Sequence, residues 1–118
     1  MKVYVATKLE EKERARAVMA ELRAMGHTIT YDWTTNDQVN QEQAMNDFEG
    51  VLEADALVLI AERDLPYCGT LVEFGMALAL NIPVYVLGNA LDRCIFMRLP
   101  EIYDGLPHVE EADAEVRA

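Results

Sequence analysis

Between Asp64 and Asp92 the chain carries one charged residue, Glu73, set in the run Cys68-Gly69-Thr70-Leu71-Val72-Glu73-Phe74-Gly75-Met76-Ala77. A carboxylate among such neighbours loses hydration, which raises its pKa, while a nearby helix N-terminus lowers it. A group poised in this way can act as a nucleophile or move a proton. The same residues also spell a structural device. Thr70-x-x-Glu73 has the spacing of a capping box, in which the glutamate bonds only the backbone N–H of Thr70. The residues alone leave both readings open. Gly69 permits a tight turn or a close backbone approach to a ligand. Gly75 falls mid-helix, where glycine costs about 1 kcal/mol relative to alanine, and close helix–strand packing would explain it.

The surrounding pattern alternates strands and helices. Residues 3–6 form a short β-rich run. Residues 9–25 carry Ala15, Val18, Met19, Leu22 and Met25 at helical spacing, and Gly26 supplies the stop. A second strand is expected at 27–31. An amphipathic helix at 41–53 follows, with Ala44, Met45, Phe48, Val51 and Leu52 as its apolar stripe. Residues 56–61 are apolar throughout, as in a parallel strand covered on both faces. The helix at 70–80 is apolar nearly all round and is therefore expected to be buried. A fourth strand at 83–87 and a fifth near 102–103 complete the pattern. The expected fold is α/β: a flavodoxin-like three-layer sandwich with a parallel sheet of four or five strands, order 2-1-3-4-5. Ligands bind such sheets beyond the carboxyl ends of the strands at the switch point, here between strands 1 and 3. That rule nominates Thr7-Lys8, the loop 62–69 and the start of the helix at Thr70.

Length and composition limit the alternatives. The 118 residues suit one domain, expected over 1–105, and 52% of them are apolar. No apolar run approaches the roughly 20 residues of a membrane span. Residues 1–6 read as a strand rather than a signal peptide, so a cytoplasmic protein is expected. The formal charge of −11 argues against nucleic-acid binding, which rewards basic patches, but leaves room for a small anionic ligand. Residues 106–118 are acidic and are expected to form a solvated tail. Cys68 and Cys94 lack metal-ligand spacing, so no metal or other cofactor is implied, and each is expected to be a small buried hydrophobe. Cys68 has no histidine near it to activate a thiol.

Gly69-Thr70-Leu71-Val72-Glu73-Phe74-Gly75-Met76-Ala77 resembles the G-x-x-x-E-[LF]-G-x-A signature of the nucleoside 2-deoxyribosyltransferase superfamily, which includes deoxynucleoside-monophosphate N-hydrolases. Two further segments are similar to that family: Lys2-Val3-Tyr4-Val5-Ala6, and Asn46-Asp47-Phe48-Glu49-Gly50-Val51 leading into Ala54-Asp55-Ala56-Leu57-Val58-Leu59. The resemblance spans most of residues 2–88 in the right order. It implies an enzyme that cleaves the N-glycosidic bond of a 2′-deoxynucleoside through a glutamate nucleophile and a covalent glycosyl-enzyme. It implies Glu73 as nucleophile, Tyr4 as the tyrosine that orients it, and Asp47 as the aspartate that contacts the base or assists its protonation. It also implies a homodimer or higher homo-oligomer with shared active sites.

The chain departs from the family pattern in two places. Transferases of the family often carry an aspartate six residues before the nucleophile, where this chain has Tyr67. The hydrolases hold a 5′-phosphate after strand 1, where Thr7 and Lys8 stand here. With Gly69, Thr70 and Asn89 these residues make up the candidate substrate-binding set. Arg93 and Arg98 are weaker candidates for a contribution from a neighbouring subunit. Trp33 is read first as a packing residue, with base stacking as the alternative. Transfer to a second base is the leading expectation and release to water the alternative. A NAD glycohydrolase of the Toll/interleukin-receptor type and a non-catalytic nucleotide-binding module are further alternatives. A phosphoacceptor receiver domain fails, because strand 3 ends in Ala61-Glu62 rather than an aspartate.

Overall fold

The computed structural model of the chain describes residues 1–36 and 38–107. Five strands, β1 (Lys2–Ala6), β2 (Thr28–Ile29), β3 (Ala56–Ile60), β4 (Val84–Leu87) and β5 (Ile102–Asp104), form one parallel sheet in the order β2-β1-β3-β4-β5. Three α-helices connect them: α1 (Lys12–Ala24), α2 (Gln41–Leu52) and α3 (Cys68–Ala79). The flavodoxin-like α/β architecture is the one the sequence pattern implies.

Handedness decides which face each helix covers. The chain moves one way from β1 to β2 and the other way from β2 over β1 to β3 and on to β4. Right-handed crossovers therefore put α1 on one face and α2 with α3 on the other. In agreement, α2 packs on α3, and α1 packs on β1 and β2. Strand residues alternate between these faces. In β1, Tyr4 turns toward α2 and α3, and all of Val3, Tyr4, Val5 and Ala6 are buried. In register, Tyr4 pairs with Leu57 and Val5 with Val58 of the wholly buried β3. The core is this sheet centre, closed by Ala15, Val18, Met19 and Leu22 from α1 and by Phe74 and Ala77 from α3.

Among the described residues Gly26, Gly88 and Gly105 adopt positive φ, and the first two close elements of the sheet layers. Gly26 ends α1 at φ 97°, a left-handed conformation that costs a Cβ-bearing residue energy. Gly88 follows β4 at φ 96°, where an added Cβ would lie 2.4 Å from the carbonyl oxygen of Ala61.

Several expectations are corrected. β2 holds two residues rather than five, because only Lys2 and Val3 of β1 pair with it. The 3-10 turn Trp33–Thr35 then takes the chain away from the sheet. The stripe of α2 is not buried: Met45, Phe48 and Leu52 are 54, 52 and 47% exposed, and only Gly50 and Val51 are covered. α2 lies over Tyr4 and beside α3, and no further layer sits on its outer side. α3 is likewise half-open, with Leu71 and Val72 exposed. Gly75 has open space where its side chain would be, so close packing does not account for it. Cys68 is exposed and Cys94 only partly covered, contrary to their reading as buried hydrophobes.

The expected acidic tail at 106–118 lies outside the described residues from 108 onward. Leu106 packs on the core, and the Pro107 carbonyl is hydrogen-bonded to His27 at 3.1 Å. Among the described residues no helix is long and apolar enough to cross a membrane, and no group of three or more His, Cys, Asp or Glu side chains could hold a metal ion.

Candidate active site

Tyr4 sits inside the sheet at β1, and Glu73 sits on the face of α3 that looks onto it. The Tyr4 hydroxyl donates a 2.5 Å hydrogen bond to Glu73 Oε2. The capping-box reading of Glu73 fails on this geometry. The N–H of Leu71 bonds the carbonyl of Tyr67 at 3.0 Å, so the helix begins two residues before Thr70. Thr70 is then an interior helical residue and Glu73 lies in the second turn, beyond reach of the helix's unpaired N–H groups. Its carboxylate is directed at the sheet instead of the cap.

Burial raises the Glu73 pKa to about 7, the Tyr4 hydrogen bond pulls it down, and the nearby Asp47 charge raises it. Asp47, on α2, is itself shifted up by burial, and its Oδ1 is buried with no hydrogen-bond partner among the described residues. Tyr4 is held well above the usual phenol range, first by burial and then by the Glu73 charge beside it. It therefore acts only as a hydrogen-bond donor. Two carboxylates and one neutral phenol, with no cation among them, keep a proton readily available at near-neutral pH.

These groups open on a cleft of about 400 Å³ at the carboxyl ends of β1 and β3, the switch point of the sheet. Tyr4, Thr7, Asp47, Gly69 and Glu73 of the candidate set line it. Thr7 Oγ1 donates to the Ile60 carbonyl at 2.9 Å. Its one proton is used, which leaves the oxygen free only to accept. The other candidates lie elsewhere. Lys8 pairs with Glu10 at 3.0 Å. Tyr67 is buried, with its hydroxyl donating to the Arg63 carbonyl at 2.7 Å. Thr70 is buried inside α3, and Asn89 is exposed in the turn after β4. None of these four lines the cleft. Arg93 and Arg98 are also exposed, the latter bonded to the Asp92 carbonyl.

Trp33 packs as expected: it is buried, and its indole N–H donates to the Val5 carbonyl at 2.7 Å, while one edge borders the cleft. Its 3-10 turn is held by Asp32, which accepts from the Thr34 N–H at 2.9 Å, and by Arg16, which donates to the Thr34 carbonyl at 2.7 Å.

Four amide residues lining the cleft, Asn36, Gln38, Asn40 and Gln43, are absent from the sequence-based set. Asn40 and Gln43 carried a partial signal. Asn40 is the N-cap of α2, and Gln43 stands one helical turn before Asp47, on the same face. Gly50 is a further positioning residue. A Cβ there would lie 2.9 Å from Cδ2 of Tyr4, so this glycine makes room for the ring that holds Glu73.

Solved structures repeat the fold. A CMP N-glycosidase from Clostridium botulinum superposes with a TM-score of 0.64 at 19% identity, over 99% of this chain and 98% of that one. A 2-deoxyribosyltransferase from Bacillus psychrosaccharolyticus gives a TM-score of 0.65 at 20% identity, covering 96% and 90%. A conserved protein from Enterococcus faecalis V583 gives 0.57 at 22%, covering 98% and 95%. No curated protein sequence matches the chain. The sequence profile described as nucleoside 2-deoxyribosyltransferase matches residues 3–112, nearly the whole length, and the chain therefore belongs to the nucleoside 2-deoxyribosyltransferase family.

Proposed function

We propose that the protein cleaves the N-glycosidic bond of a 2′-deoxynucleoside, with Glu73 as nucleophile, and transfers the sugar to a second base. The observation that carries this reading is the Glu73 carboxylate, half-buried in the cleft, gripped by Tyr4 and without a cationic partner among the described residues. An ionised carboxylate in that setting is costly, and an ester bond to the anomeric carbon removes the charge. In the first step Glu73 bonds to C1′, and the C1′–N bond breaks with its electron pair leaving on the base. Asp47, whose pKa is raised, delivers the proton that the departing base needs. In the second step a nitrogen of the incoming base bonds to C1′, the ester breaks, Glu73 returns as carboxylate, and the incoming base passes its proton to the Asp47 carboxylate.

The lining favours a nucleoside over its 5′-monophosphate. Among the described residues the charged side chains of the cleft are Asp47 and Glu73, both acidic. Lys8 pairs with Glu10 and does not line the cleft, and the Thr7 hydroxyl donates to the Ile60 carbonyl, so neither presents a phosphate donor within the cleft. An accepting Thr7 oxygen suits a sugar hydroxyl.

We further propose a homodimer formed through the exposed apolar side of α2 and α3. Met45, Phe48, Leu52, Leu71 and Val72 give these helices more exposed apolar surface than lone surface residues explain.

Incubation with deoxyinosine, with and without free adenine, tests the reaction. Deoxyadenosine formed only when adenine is present supports transfer. Hypoxanthine released equally without acceptor replaces transfer with hydrolysis. No turnover of deoxynucleosides or their monophosphates overturns the glycosidic reading.

A further inference from the structure

Four amide residues line the cleft, and three of them, Asn36, Asn40 and Gln43, have the side-chain carbonyl oxygen already engaged. Asn36 Oδ1 accepts from the Gln38 N–H at 3.1 Å, and Asn40 Oδ1 accepts from the Gln43 N–H at 2.9 Å. A backbone N–H can only donate, so each of these amides must turn its oxygen toward it, which leaves the NH2 free. Gln43 Oε1 accepts from the Tyr31 hydroxyl at 2.7 Å, and in that arrangement its NH2 is left free. These amide nitrogens have no hydrogen-bond partner among the described residues.

The donors and the acceptor occupy different depths. Asp47 is electrostatically coupled to Glu73 and Tyr4, so it stands at the reacting end. Moving out along α2, Gln43 is one turn away and Asn40 the next position on that side. A base leaving from C1′ therefore meets the Asp47 carboxyl near its glycosidic nitrogen and a row of donors at its far edge.

We infer that Gln43 sets base specificity, selecting bases whose far edge carries a ring carbonyl over bases with an exocyclic amino group there. This deepens the glycosidase reading and rests on it. A carbonyl oxygen accepts the Gln43 NH2. An amino group meets the Gln43 NH2 donor to donor, and both lose hydrogen bonds they had in water, the kind of mismatch that gives strong discrimination.

The test compares two matched pairs: deoxyinosine against deoxyadenosine, and deoxyuridine against deoxycytidine. The bases also differ as leaving groups, so the readout is how the ratio of kcat/KM within a pair changes on substitution. In Gln43→Glu both side-chain oxygens accept, the Tyr31 contact is retained, and the ratio should move toward the amino bases by tenfold or more. Gln43→Ala should move it part of the way. Binding of free hypoxanthine and adenine, measured by calorimetry, gives a second readout that needs no turnover: the intact protein should prefer hypoxanthine, and Gln43→Glu should lose that preference. Ratios and base preferences unchanged by both substitutions would overturn the inference while leaving the glycosidic reaction standing. Base preferences as expected, with no turnover of any nucleoside, would uphold Gln43 and remove the reaction instead.

Discussion

The single carboxylate of α3 is defined by its surroundings at the atomic scale. Glu73 holds its proton up to a pH of about 7 in the folded protein, against an ordinary value of 4.5. Nucleophilic attack needs the ionised form, so kcat/KM is expected to rise with pH through an inflection near 7. Tyr4→Phe removes the hydrogen bond that favours the ionised form. The inflection should then move to higher pH and turnover should fall about tenfold, the worth of one hydrogen bond to a charged group. An unchanged inflection would show that Tyr4 does not tune the nucleophile. Stability follows the same proton. The folded state binds it more tightly than the unfolded chain, so this contribution is full below pH 4.5 and is lost as pH rises through 7. Glu73→Gln cannot lose it. The variant should lack nearly all turnover, yet melt higher than the parent at pH 8, by on the order of 2 kcal/mol, and match it near pH 4. A variant melting lower at pH 8 would return Glu73 to a structural role.

At the scale of elements, α2 has two duties. Its inner side carries Gln43, Asp47 and Gly50 toward the cleft and toward Tyr4. Gly50→Ala would push a methyl group into the Tyr4 ring and within 3.0 Å of the Tyr31 Cβ. Overpacking of this kind costs about 1–3 kcal/mol. Because the displaced ring holds Glu73, activity should fall further than the loss of folded protein explains. Thermal melting and kcat measured on the folded fraction separate the two effects. Full activity in the folded fraction would make Gly50 a packing residue only. The helical boundary of α3 decided the reading of Glu73 just as firmly. A start at Thr70 makes a capping box, whereas a start at Cys68 sends the same side chain to Tyr4.

For the whole molecule, the sheet order places the cleft and its right-handed crossovers bring α2 and α3 together above it. Their outer surfaces stay apolar and exposed. If a second copy covers them, Phe48→Glu puts a charge into that interface. Sedimentation should then show a monomer, with circular dichroism unchanged, because Phe48 is already 52% exposed in the single chain. A parent protein that sediments as a monomer would remove the dimer.

Much of this was legible in the chain before folding. Periodicity and apolar runs determined the sequence of elements, because helices and strands bury residues at fixed spacings. The right-handed crossover rule then constrained sheet order and the cleft's position. Glu73, Tyr4 and Asp47 stood out through residue type and through motif resemblance. Local pattern could not tell which apolar faces would be covered, since a stripe such as Met45, Phe48 and Leu52 looks the same whether a neighbour packs on it or none does. Nor could it separate Thr7, which lines the cleft, from Lys8 and Tyr67, which bond to Glu10 and to the Arg63 carbonyl. The resemblance implied that Tyr4 orients Glu73, but only the tertiary structure showed the hydrogen bond that joins them across 69 positions of sequence and set the amides of Asn36, Asn40 and Gln43 donor-first. Those facts belong to partners that the fold alone brings within hydrogen-bonding distance.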